Sequence, residues 1–293
     1  MKKVSKAIIP SAGFGTRFLP VTKSLPKEML PIFDKPNLQY IVEEIADSGI
    51  KEILIITNKF KKVIEDHFDR AYEMEHILKT SGKMDEYEQI KAIANLANVY
   101  YIRQKKMRGS GDAVLTARSF VGDEPFAVLY GDDLIYSDGK PCTQQLIDAY
   151  NTTGRSIVGV QSVPESEVSK YGIIKPGAVK GRYSEVKAFI EKPSIKDAPS
   201  RLASMGRYVL TPDIFDELEI LSNNLDKSKE LYLTDAIAAL ADKAGVYAYE
   251  FEGQRYDVGD KSGYMEASIE FALRDKKEHD KLAKYLKELA QKL

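Results

Sequence analysis

Four short apolar runs, Ala7 to Ile9, Ile53 to Ile56, Val99 to Ile102 and Phe126 to Tyr130, are each bounded by polar or turn residues. Continuous apolar runs of this length predict strands buried on both faces, as in a parallel sheet. Between them the apolar spacing changes to a helical period: Leu38 to Ala46 opening after Asn37, a long stretch from Lys61 to Leu96, and Ala113 to Phe120 following Gly111. Alternating strand and helix predicts a doubly wound α/β sheet, whose ligands gather beyond the carboxyl ends of the strands. The segment from Tyr72 to Asn98 is longer than one crossover helix needs, and Thr80-Ser81-Gly82-Lys83 interrupts it. A helical insertion after the second strand is therefore expected.

Beyond Asn151 the alternation weakens. Ser156 to Val163, Ile173-Ile174, Val186 to Ile190 and Ala203 to Leu210 are strand-like runs separated by turns, which predicts a β-rich half grafted onto the sheet. Helical patterns return from Pro212 onward. The tail from Lys276 to Leu293 sets Leu282, Leu286, Leu289 and Leu293 on one helical face, expected to pack on its own domain in preference to pairing subunits. Three parts follow: 1–150, 151–275 continuous with the same sheet, and a C-terminal helix over 276–293.

Charge and composition narrow the function. Lys+Arg 43 against Asp+Glu 44 gives a net charge of −1, which argues against a broad basic face for nucleic acid or an anionic membrane. The apolar run before Pro10 is too short for a signal peptide, and no window is long enough for a transmembrane helix. One cysteine, Cys142, allows no intrachain disulfide, and three scattered histidines, His67, His76 and His279, do not suggest a histidine metal site. A reducing cytoplasm is the expected location.

Chemistry concentrates after the strands. The first ends in Pro10-Ser11-Ala12-Gly13-Phe14-Gly15-Thr16-Arg17-Phe18-Leu19-Pro20, where two glycines let the backbone approach an anion and successive N–H groups can form a nest for phosphate. Phe18 stands where a dinucleotide fingerprint needs its third glycine, and the Gly-Lys-Ser/Thr ending of a P-loop is missing. Arg17, Lys23 and Lys27 crowd this one loop and favour a polyphosphate ligand. Asp132 emerges at the end of the Phe126 to Tyr130 run, where a carboxylate can hold Mg²⁺ against phosphate, while Asp133 reads as a turn residue. Glu191-Lys192-Pro193 closes the Val186 to Ile190 run and offers a carboxylate for sugar hydroxyls beside an ammonium for phosphate. The tyrosines, Tyr256 among them, are expected in the core.

The first loop, continued by Thr22-Lys23 and Pro26-Lys27-Glu28-Met29-Leu30-Pro31, resembles the signature of the sugar-phosphate nucleotidyltransferases. Further matching motifs follow in the family's order: Arg103-Gln104 with Gly109-Ser110-Gly111-Asp112-Ala113-Val114, Gly131-Asp132-Asp133, Tyr171-Gly172-Ile173-Ile174, Glu191-Lys192-Pro193, Gly206-Arg207-Tyr208-Val209-Leu210, Leu233-Thr234-Asp235-Ala236 and Tyr256-Asp257-Val258-Gly259-Asp260-Lys261. The resemblance spans nearly the whole chain and is strongest to the uridylyltransferases. It implies a Rossmann-like mixed sheet, with 1–150 binding the nucleotide and 151–275 the sugar phosphate. It also implies Mg²⁺-dependent attack of glucose 1-phosphate on UTP, homo-oligomerisation, and no covalent intermediate. Carried over by motif, Arg17, Lys27 and Lys192 serve catalysis, and Ala12, Gly13, Gly15, Thr16, Glu28, Gln104 and Gly109 bind the nucleotide. Gly172, Glu191 and Lys192 bind the sugar phosphate, and Asp132 and Asp257 hold the metal. The chain departs from the family at Ser110 and Asp112, where leucine and histidine are common, at Tyr232 in place of glutamine, and at Ser11 in place of alanine. Those positions leave dTTP, another hexose 1-phosphate, or binding without turnover as alternatives that a substrate panel separates.

Overall fold

The computed structural model describes residues 1–226 and 228–293. Four of the predicted strands, β1 (Lys6–Pro10), β2 (Glu52–Thr57), β3 (Asn98–Arg103) and β4 (Phe126–Leu129), run parallel in the spatial order β3-β2-β1-β4. Ile8 lies level with Leu54 on one side and Val128 on the other. Ile8, Ile9, Ile53, Ile55 and Val128 are wholly buried, each burial worth about 1.5–3 kcal/mol, and this is why these runs carry no polar alternation.

The sheet continues through the second half of the chain with β5 (Ser156–Ser162), β6 (Gly172–Lys180), β7 (Tyr183–Glu191), β8 (Leu202–Leu210) and β9 (Val246–Glu250). Antiparallel β8 joins the two halves, with Tyr208 opposite Val128 of β4 on one edge and Val158 of β5 on the other. The full order is β3-β2-β1-β4-β8-β5-β9-β7-β6, a mixed sheet. Strand β9 was not expected. Its alternating Val-Tyr-Ala-Tyr lies between two helices, and only its parallel pairing with β5 reveals it.

Helices cover both faces. Asn37–Asp47 and Cys142–Thr153 bury Leu38, Ile41, Ile45 and Leu146 on one side, and Ser110–Thr116, Ile214–Asn224 and Leu233–Ala244 bury Val114, Leu218 and Ile237 on the other. The long Lys61 to Leu96 pattern is three helices, Lys62–Phe68, Tyr72–Thr80 and Met84–Ile93. The last two form the expected insertion, broken at Gly82 with φ +74. A small ribbon pairs Asp133–Tyr136 with Gln254–Asp257 and packs Leu134 and Tyr256 against Ala267 of the helix Lys261–Arg274.

The terminal helix packs on its own chain, but only lightly. His279–Ala290 leans on Lys261–Arg274 but buries none of its residues, and Leu289 is 38% exposed. Among the described residues, no helix is long and apolar enough to cross a membrane.

Candidate active site

From β1 the chain moves outward to β2 and β3 on one side, then returns to lay β4 on the other side of β1. This reversal of strand order opens a crevice beyond the carboxyl ends of β1 and β4. The glycine loop leaves β1 there, and Asp132 leaves β4 three residues after Leu129. A cavity of about 290 Å³ in the crevice is lined by Ala12, Gly13, Lys27, Gln104, Gly109 and Asp132. Gln104 is fixed at the end of β3 by its N–H donating to the Thr57 carbonyl at 2.9 Å. Gly109 has φ +100, and a Cβ there would stand 2.5 Å from the Leu231 carbonyl oxygen, so only glycine lets this loop close against 230–233.

Three residues assigned to the nucleotide do not reach this cavity. Gly15, at φ +66, and Thr16 form the outer turn of the loop, and Gly15 packs behind Lys27. Glu28 is fully buried beneath the loop, where the Lys61 ammonium donates to both carboxylate oxygens at 2.8 and 2.7 Å and to the Ser11 carbonyl at 2.6 Å. The Lys61–Glu28 pair holds the loop's shape from beneath. Lys23 is exposed and lines neither this cavity nor the one beside it. Burial lowers the Lys61 pKa even against the pull of Glu28. Lys61→Met strands a buried carboxylate, and denaturant unfolding is expected to show a loss of about 3–5 kcal/mol. Adding Glu28→Met should recover most of it, and equal stability of Lys61→Met and wild type would remove this role.

A second cavity, of about 300 Å³, shares Ser110, Tyr130, Asp132 and Glu230 with the first. It is lined by Arg17, Gly172, Glu191, Lys192, Arg255 and Asp257, among others. Lys192 has φ +44, a conformation costly for a side-chain-bearing residue, held by its N–H to the Tyr171 carbonyl at 3.0 Å. Its ammonium lies 3.8 Å from Glu191, whose carboxylate stands over Gly172. Burial raises the Glu191 pKa, with Lys192 and Thr234 opposing it. Tyr130, Tyr171, Tyr208 and Tyr232 line this cavity, which corrects the expectation that the tyrosines other than Tyr256 are simply core.

Three carboxylates and two cations meet where the cavities join. Lys27 donates a short hydrogen bond to Asp132. Burial alone would raise the Asp132 pKa, but Lys27 outweighs it and holds the group below its usual value. Asp133 is no mere turn residue. It is buried and bound by Arg255, whose Nε donates at 2.7 Å, and Arg255 also reaches Asp257 at 3.5 Å and the Tyr171 hydroxyl at 2.9 Å. Gly259 stands between the two expected metal ligands. A Cβ there would lie 2.9 Å from Asp132 Oδ2 and 3.2 Å from Asp257 Oδ1, so the two carboxylates converge on one small space. Two hard oxygen donors facing one gap suit Mg²⁺ that takes its remaining ligands from phosphate and water. Among the described residues, no three acidic, histidine or cysteine side chains form a complete cage.

Arg255, Lys61 and Arg207 escaped the reading of the chain. Arg207, 1% exposed, pairs with Glu44 at 2.9 Å and donates to the carbonyls of Tyr130 and Asp133, bracing from beneath the turn that carries Asp132. Arg207 belongs to the Gly206 to Leu210 motif, but its partner lies 163 positions away, and no local spacing marks it.

The nucleotidyl transferase family profile matches residues 6–273. UTP–glucose-1-phosphate uridylyltransferase 2 of Staphylococcus saprophyticus is 55% identical over 289 residues, covering 99% of each chain, and the Staphylococcus epidermidis enzyme is 53% identical over the same span. Among solved structures, UTP-bound UGPase from Acinetobacter baumannii superposes with a TM-score of 0.89 at 36% identity, covering 98% of this chain and 99% of that one. UDP-glucose pyrophosphorylase complexed with UDP-glucose gives 0.84 at 41% identity, with 93% and 100% covered. With its strand-order crevice, paired cavities and facing aspartates, the chain belongs to the nucleotidyl transferase family.

Proposed function

We propose that this protein transfers the uridylyl group of UTP to glucose 1-phosphate in the presence of Mg²⁺, giving UDP-glucose and pyrophosphate. The observation that carries this reading is the junction of the two cavities at Asp132, Tyr130 and Ser110. A nucleotide on the glycine-loop side and a sugar phosphate on the Glu191-Lys192 side would bring their phosphates together at that junction. The names of the full-length relatives, and the UTP and UDP-glucose held by the solved neighbours, support the same pair of ligands.

The chain's groups divide the work. Lys192 holds the phosphate of glucose 1-phosphate so that its oxygen lies in line with the α-phosphorus, Glu191 accepts sugar hydroxyls, and the Gly172 backbone lets the ring approach. Lys27 and Arg17 balance charge on the departing pyrophosphate. Asp132 and Asp257 would hold Mg²⁺, which when bound would supply further neutralisation of the phosphate charge. Gln104 and Gly109 face the base. Cytoplasmic location fits substrates too highly charged to cross a bilayer unaided, and the exposed Leu289 and Leu293 at the end of the leucine stripe support a homo-oligomer. The direct test is pyrophosphate release with each substrate and Mg²⁺ omitted in turn, and with dTTP or other hexose 1-phosphates substituted. No UDP-glucose from the complete mixture would sink the proposal.

A pH profile tests the sugar half. Glu191 accepts hydroxyls as a carboxylate, a form lost as pH falls through a pKa that burial has raised above the ordinary glutamate value. The KM for glucose 1-phosphate is therefore expected to climb on acidification, and to climb less in Glu191→Gln, which has no charge to lose. Ionisation of the substrate phosphate is common to both proteins. Superimposable profiles would rule out the role of Glu191.

A further inference from the structure

Gln104, just after β3, and Asp112, in the first turn of the helix Ser110–Thr116, form a pair whose geometry has consequences for base choice. The Gln104 side-chain amide nitrogen donates to Asp112 Oδ2 at 2.7 Å and lies 3.4 Å from the Gly109 carbonyl. Both partners are acceptors only, since an ionised carboxylate and a backbone carbonyl have no proton to give. The amide can therefore present only its NH₂ to them, and the flipped orientation would set oxygen against oxygen. Gln104 is 7% exposed and lines the glycine-loop cavity, and among the described residues its side chain bonds protein only through the amide nitrogen, which leaves Oε1 without a protein partner. The side chain is held as a fixed acceptor on the wall of that cavity.

We infer that Asp112 is a positioning residue for nucleobase specificity: by locking the Gln104 amide, it makes the site select bases that carry an N–H at ring position 3, as uracil and thymine do, over cytosine. The inference rests on the reading that this cavity takes the base of a nucleoside triphosphate. Cytosine has a lone pair at that ring position, so a fixed Oε1 meets it with oxygen against nitrogen and no shared proton. A glutamine free to turn could offer NH₂ instead and accept either base. The negative charge of Asp112, awkward near a triphosphate, is thereby directed at an amide on the base side of the cavity.

Asp112→Asn isolates the lock from the fold. Asparagine has the same shape and still hydrogen-bonds Gln104, but it can donate as well as accept, so the flipped amide is opposed only by the more distant Gly109 carbonyl. Two readouts are needed: kcat and KM for UTP and CTP with glucose 1-phosphate, and calorimetric binding of UTP and CTP alone. The wild type is expected to prefer UTP strongly. In Asp112→Asn the UTP-to-CTP preference should fall by about tenfold, the scale of one hydrogen bond set against an unpaired polar group. The loss should fall on the nucleotide KM and not on kcat, with the KM for glucose 1-phosphate within twofold and an unchanged melting midpoint. A preference unchanged within twofold in Asp112→Asn, or no preference in the wild type, overturns the inference. If UTP binds selectively but no pyrophosphate is released, the activity proposed above fails while the base lock stands.

Discussion

Asp132→Ala is expected to reduce UDP-glucose formation by about 10³-fold or more while leaving the melting midpoint within about 3 °C of wild type. The two effects separate because of where the carboxylate sits. The Asp132 side chain is 34% exposed at the mouth of the two cavities, bonded to Lys27, and it is no part of either apolar core. The pair is partly buried, Lys27 18% and Asp132 34% exposed, but it opens on the solvent of both cavities, and its screened attraction contributes about 1 kcal/mol to folding. Lys27 depresses the Asp132 pKa, so that contribution is present above the ordinary aspartate pKa and fades only as pH falls through the lower folded value. At neutral pH little stability is at stake. Catalysis loses much more: the substitution takes one of two facing oxygen donors from the proposed Mg²⁺ position and removes the anion that holds the Lys27 ammonium where the two cavities join. A 10³-fold fall is about 4 kcal/mol of transition-state stabilisation, within the range for one electrostatic group in a closed site. Steady-state kinetics across Mg²⁺ concentrations, with thermal melting on the same samples, check both halves. Turnover within tenfold of wild type would leave Asp132 no place in the chemistry.

The parts legible in the chain are those whose cause is local. Ile53 to Ile56 is a strand because four adjacent apolar side chains need burial on both faces, and the helical insertion breaks at Gly82 because glycine tolerates a positive φ. Asp132, Glu191 and Lys192 each follow a strand end, so a strand pattern was enough to bring them near the crevice. Strand β9 was missed because a five-residue alternation between two helices acquires meaning only from β5 beside it. The buried ion pairs were missed for the same reason. Lys61 and Glu28, Arg207 and Glu44, and Arg255 and Asp133 are separated by 33, 163 and 122 positions, and a charged residue alone in a sequence looks like surface. Glu28 misled in the opposite direction, since its motif neighbours face the cavity while its own carboxylate turns inward to Lys61.

Arg255→Met is expected to destabilise the protein by about 3–5 kcal/mol at pH 8, with part of that loss regained on acidification. Arg255 is 12% exposed by side chain and Asp133 10%, so neither charge is well hydrated. The guanidinium grips Asp133 with two nitrogens and reaches Asp257, making it the shared counterion of two carboxylates beside a third, Asp132. Burial, together with Asp132 and Asp257, already pushes the Asp133 pKa upward against the pull of Arg255. Without the arginine that upward push is unopposed. The folded state then holds a proton that the unfolded chain releases near the ordinary aspartate pKa, so stability falls as pH rises from there to the raised folded value and is level above it. Activity should fall as well, because Arg255 also bonds the Tyr171 hydroxyl and so ties the aspartates to the wall of the Glu191-Lys192 cavity. Arg255→Lys should rescue little, since a single ammonium cannot reproduce a two-nitrogen grip on Asp133 while also reaching Asp257 and Tyr171. Urea unfolding of wild type and Arg255→Met at pH 8 and at pH 5.5 provides the test. A loss below 1 kcal/mol at pH 8, or a loss that does not shrink at pH 5.5, would show that Arg255 is not the counterion holding these aspartates together.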